Sequence, residues 1–66
     1  MKAELNTRVN RMIGTLERED RIPVLRALYL CDGTLLDFQS ELAGQCWDFP
    51  GLNVQEVIDI LAFDLA

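Results

Sequence analysis

The sequence predicts an all-α fold, a compact bundle of about four short helices, and three observations carry that expectation. Leu5, Val9, Met12, Ile13 and Leu16 recur at i, i+4, i+7, i+8 and i+11, one stripe of a helix. Two capping-box spacings, Thr34 to Asp37 and Asn53 to Glu56, mark helix starts. Between the apolar segments stand Gly33, Gly44 and Pro50-Gly51, the residues that end helices and make turns.

The first helix is expected over about residues 3–18, with Glu4, Arg8, Arg11 and Glu17 opposite the apolar stripe. Gly14 falls inside it and reads as a place where another backbone comes close. The charged run Glu17 to Arg21 reads as a joint, and Pro23 places the next helix start near Ile22, because proline disfavours helix at the residue before it. From Ile22 to Cys31 this second helix is apolar nearly all round, the pattern of a helix buried on most sides, and Gly33 can supply the left-handed residue that ends it. Thr34 opens the third helix, whose inward stripe is Leu35, Phe38 and Leu42, with Gly44 as its stop. Asn53 opens the fourth, where Val54, Val57, Ile58, Ile60, Leu61, Ala62, Phe63 and Leu65 cover more than one face. The 66 residues thus form a single helical domain, an amphipathic N-terminal helix over 1–20 and a three-helix core over 21–66.

Half of the residues are apolar, and a domain of this size buries only about 60% of the surface its unfolded chain exposes. Two nearly all-apolar helices exceed what it can cover by itself. The surplus predicts contact with another chain, and a homodimer is the expected form.

Charge excludes several function classes. Six basic residues against eleven acidic give a net charge of −5, which argues against nucleic-acid binding, since that rests on neutralising phosphates. All six bases lie within residues 1–26 beside four acids, whereas residues 27–66 hold seven acids and no base. An acidic surface on the third and fourth helices would steer toward a partner protein with a basic surface.

The N-terminus is polar, without the apolar core of a signal peptide, and no apolar run approaches the roughly 18 residues of a membrane span. A cytoplasmic chain is expected, with Cys31 and Cys46 as reduced thiols. No cofactor or metal site is expected: histidine is absent, and two thiolates do not complete a zinc tetrahedron. Ser40 has no histidine to activate it and neither cysteine has the usual base, so enzymatic activity is not expected.

Two stretches resemble known signatures. Asp32-Gly33-Thr34-Leu35 with Asp37 resembles the tail of the haloacid dehalogenase motif. The nucleophile position there holds Leu30, and the family's α/β domain does not fit in 66 residues, so Asp32-Gly33-Thr34 reads as a corner between helices. Val24 to Tyr29, Asp32 to Leu35, Glu41-Leu42-Ala43, Leu52 to Ile58 and Leu61 resemble the three-helix core of winged-helix regulators, over residues 22–65. That resemblance implies a helix-turn-helix-like core and a dimeric DNA-binding regulator, in which Lys2, Arg8, Arg11 and Arg18 would contact phosphates. Its recognition helix, Asn53 to Leu65, has no Lys or Arg and carries Glu56, Asp59 and Asp64, and the sequence stops where the wing would follow. Direct readout needs donors aimed at base edges, and only Asn53 and Gln55 offer them.

The function expected from the residues is therefore that of a small acidic interaction module that binds and masks or regulates a partner protein, as a bacterial or phage-encoded inhibitor does. The expected contact residues are the acids Asp37, Glu41, Glu56 and Asp59, with Trp47 and Phe49 as aromatic anchors.

Overall fold

A computed structural model describes the backbone of residues 2–65 and the side chains of residues 3–62. Four helices follow one another: α1 (Lys2–Met12), α2 (Arg18–Leu30), α3 (Leu35–Gly44) and α4 (Val54–Leu65). Short 3-10 turns, Ile13–Thr15 and Gln45–Trp47, extend α1 and α3, and the described residues contain no strand. The fold is all-helical, as the apolar spacing predicts.

One core draws on every helix. Leu5, Val9 and Met12 come from α1; Val24, Ala27 and Leu28 from α2; Phe38 and Leu42 from α3; Val57, Ile58 and Leu61 from α4. Cys31 and Leu52, from the connections, complete it. Phe38 and Leu42 are fully buried, which matches the inward stripe expected of the third helix. Burying a side chain of that kind stabilises by roughly 1.5–3 kcal/mol.

The corner between α2 and α3 is held by its own polar groups. The Thr34 hydroxyl accepts from the Asp37 backbone N–H at 3.1 Å, the N-cap read from the spacing. The return bond is displaced: the Asp37 carboxylate accepts from the Asp32 N–H at 2.8 Å, and the Asp32 carboxylate accepts from both the Thr34 N–H and its hydroxyl. Gly33 lies between them at φ 108°, in the left-handed region where a Cβ is costly. Asn53 caps α4 by accepting from the Glu56 N–H at 3.1 Å.

Several boundaries differ from the sequence expectation. The first helix leaves α geometry after Met12 and tightens into a 3-10 turn, where the Thr15 hydroxyl donates to the Met12 carbonyl at 2.6 Å. Gly14 sits in that turn with nothing within 4 Å of a Cβ placed on it, so it is not a packing point. The second helix starts at Arg18 rather than Ile22. Glu19 and Asp20 occupy its first turn, where they complement the helix dipole, and the buried Pro23 is accommodated in the second turn. α3 does end at Gly44 as expected, but without a left-handed residue: its φ is −64° and the chain runs on into the 3-10 turn.

The largest difference concerns α2. Only Pro23, Val24, Ala27 and Leu28 are buried, and the opposite side of this apolar helix stands in solvent. Periodicity marks an outside only when polar residues occupy it, and from Ile22 to Leu30 Arg26 is the one charged residue of this helix.

Candidate protein-docking surface

The open side of α2 is a built row. Ile22, Leu25 and Tyr29 lie at i, i+3 and i+7, so one stripe carries all three, with Arg18 one turn earlier on the same line. Ile22 is 51% exposed, Leu25 44%, Tyr29 82% and Leu30 56%. Beside this row runs an open groove of about 640 Å³ between α2 and the segment after α3, walled by Ile22, Leu25, Arg26, Tyr29, Leu30, Gln45 and Asp48. Arg26 anchors the far wall: its guanidinium lies over the Phe49 ring, 5.6 Å from the centroid, and reaches the Asp48 carboxylate at 3.9 Å. Within that wall Gln45 Oε1 is buried and accepts no hydrogen bond. A buried acceptor left so costs on the order of 1–3 kcal/mol, which a donor from outside would relieve.

Trp47 and Phe49 have different surroundings. Trp47, in the 3-10 turn between Gln45 and Asp48, is 92% exposed. Phe49 is half-buried and packs against the core beneath Arg26. A large apolar ring held in water is the side chain most often found at the centre of an interface.

The four acids do not form one cluster. Asp37 spends its carboxylate on the α2–α3 corner, and Glu41 stands half-buried one turn further along α3. Glu56 and Asp59 are exposed on α4, where with Asn53, Gln55 and Ile60 they line one shallow depression. The Gln55 amide donates to the Asp59 carboxylate at 2.8 Å. Glu56 also borders, with Glu17 and Asp20 from the start of α2, a second depression that shares Asn53 with the first. Acidic groups therefore gather around the first turns of α4.

The basic residues are dispersed. Arg8 binds Glu4 at 2.7 Å along α1, and Arg11 is exposed one turn further on. Arg18 belongs to the α2 row, and the Lys2 side chain lies outside the described residues. Arg21 donates to the Leu16 carbonyl at 3.1 Å, tying the α1–α2 connection. In the segment that resembles a recognition helix, Asn53 serves as the cap and Gln55 is engaged by Asp59.

Both cysteines are thiols. Cys31 is buried, with Sγ donating to the Leu28 carbonyl at 3.3 Å, and Cys46 is half-buried. Among the described residues no group of three His, Cys, Asp or Glu side chains could hold a metal ion, and no helix is long and apolar enough to cross a membrane.

The sequence reading missed Ile22, Leu25, Tyr29 and Leu30 as surface residues. Their i, i+3, i+7, i+8 spacing was visible, but the same helix carries a second apolar stripe, and nothing in one dimension says which of the two faces inward. Comparison of the chain with protein-family models, with curated proteins and with solved structures returned no match.

Proposed function

We propose that this chain is a protein-docking module rather than an enzyme, one that masks or regulates a partner protein with a basic surface. What supports the reading is the amount of large apolar side chain held in water on so small a domain: Ile22, Leu25, Tyr29 and Leu30 on α2, and Trp47 in the 3-10 turn after α3. Soluble monomers rarely expose contiguous apolar surface on this scale unless something binds it. The acids Glu41, Glu56 and Asp59 supply the sign of the partner, because a surface with no base after Arg26 attracts positive charge and repels phosphate.

The test is capture by the tagged chain from nuclease-treated bacterial lysate. One protein retained in near-stoichiometric amount, and lost from the double variant Glu56→Lys/Asp59→Lys, is the expected result. Both positions are exposed, so the variant should keep the wild-type helical circular dichroism. Retention of DNA in the absence of nuclease, with no protein captured, would overturn the reading in favour of a DNA-binding regulator acting through Arg8, Arg11 and Arg18.

A further inference from the structure

We propose that the open face of α2 is covered by a second copy of this chain, the two α2 helices lying antiparallel with Ile22 of each against Leu25 of the other. The proposal rests on the docking reading above and names the occupant of this one face.

The spacing carries it first. Arg18, Ile22, Leu25 and Tyr29 alternate by four, three and four residues, the repeat with which two helices pack side by side. All four positions are exposed. In an antiparallel pair with Ile22 opposite Leu25, the outer positions come into register as well: Arg18 of each copy meets Tyr29 of the other. The row is then self-complementary, as a two-fold interface requires. Two apolar layers lie at the centre, and at each end a guanidinium covers an aromatic face, a favourable pairing.

Charge decides the orientation. A parallel pair would set Arg18 against Arg18, like charges in one layer. The antiparallel pair instead brings each Arg18 to the C-terminal end of the other α2, which carries the negative end of the helix dipole, no basic residue in its last turn, and Asp32 just beyond it.

The groove beside the row agrees with this occupant. Gln45 Oε1 is a buried acceptor without a hydrogen bond, and the α2 of a second copy brings the Arg18 guanidinium, whose N–H groups outnumber what stacking on Tyr29 uses. A stable interface covers about 800 Å² per partner, less than a fifth of the 4453 Å² surface of this chain. The α2 row with Leu30 and the groove wall would have to supply that area, and none of these residues belongs to α4, whose acids stay outside the seam.

Sedimentation equilibrium of the full chain, from about 1 to 100 μM, tests the pairing against the 7.5 kDa monomer mass. The wild type is expected at twice that mass, and Ile22→Lys, Leu25→Glu and Tyr29→Lys, the last of which sets like charge against Arg18 of the second copy, each at the monomer mass with unchanged circular dichroism. Leu36→Glu, at an exposed leucine of α3, is the control that stays dimeric. Mixing Ile22→Lys chains with Leu25→Glu chains should restore the dimer, because the antiparallel register sets the new lysine beside the new glutamate; a parallel register does not. A mixture that stays monomeric overturns the register. A wild-type chain that is monomeric throughout overturns self-association, and lysate capture then separates the two readings. If Leu25→Glu abolishes capture, the docking face stands with a different occupant; if Leu25→Glu changes neither mass nor capture, the α2 face is no docking surface at all.

Discussion

Gly33 holds φ at 108° between α2 and α3, and the polar bonds around it depend on that angle. The Asp32 carboxylate reaches the Thr34 N–H, and the Asp37 carboxylate reaches the Asp32 N–H, only because the chain reverses there. A Cβ in the left-handed region costs about 1–2 kcal/mol, so Gly33→Ala should lower stability by about that much in urea unfolding. Gly14 makes no such demand: its φ is not positive and nothing lies within 4 Å of a Cβ placed on it. Gly14→Ala should therefore stabilise by about 0.4–1 kcal/mol, mainly by restricting the unfolded chain. Equal effects at the two positions would contradict the conformations described. The corner was legible at this scale, because Thr34 and Asp37 stand three apart and Asp-Gly precedes them. That the Asp37 carboxylate closes on Asp32 instead of Thr34 was not legible, since the choice depends on the angle that only Gly33 adopts.

Elements were legible in proportion to how clearly their outsides were marked. α1 and α3 each set polar residues opposite one apolar stripe, and their buried residues lie on it; α4, apolar on more than one face, buries Val57, Ile58 and Leu61 among its described side chains. α2 carries two stripes, and the burial of Val24, Ala27 and Leu28 rather than Ile22, Leu25 and Tyr29 is settled by which side the other three helices occupy. Its start was misplaced for a related reason: Pro23 reads as a first-turn residue, yet the chain carries it in the second turn with its ring buried. The N-terminal helix shares the core of the other three, since Leu5, Val9 and Met12 belong to the same buried cluster as Phe38 and Leu61. Three such side chains contribute about 5–9 kcal/mol of burial, close to the whole stability of roughly 3–10 kcal/mol expected for a domain of 66 residues. A chain shortened to residues 17–66 should lose its cooperative thermal transition, followed by circular dichroism at 222 nm. A sharp transition near the wild-type midpoint would show that α2, α3 and α4 pack without α1.

Across the whole molecule the two proposed contacts are held by different forces, and salt separates them. The α2 seam is apolar at its centre, and the two copies that form it each carry a net charge of −5. Partner capture depends on exposed carboxylates such as Glu56 and Asp59, whose attraction to a basic surface is carried through solvent. Raising sodium chloride from about 0.1 M to about 1 M shortens the screening length from about 10 Å to about 3 Å. Capture of a basic partner should then fall by roughly tenfold or more, mainly through a slower association rate, which surface plasmon resonance reads directly. The dimer should respond the other way. Screening weakens the repulsion between its two acidic chains and leaves the Ile22–Leu25 layers untouched, so sedimentation should show a dissociation constant equal to or below its low-salt value. A dimer that comes apart in salt would mean that Arg18 and the acids near the second copy's Tyr29 hold the pair, with the apolar layers secondary. Capture that survives 1 M salt would place the partner on Trp47 and the apolar surface around it, and would remove the acids of α4 from the contact.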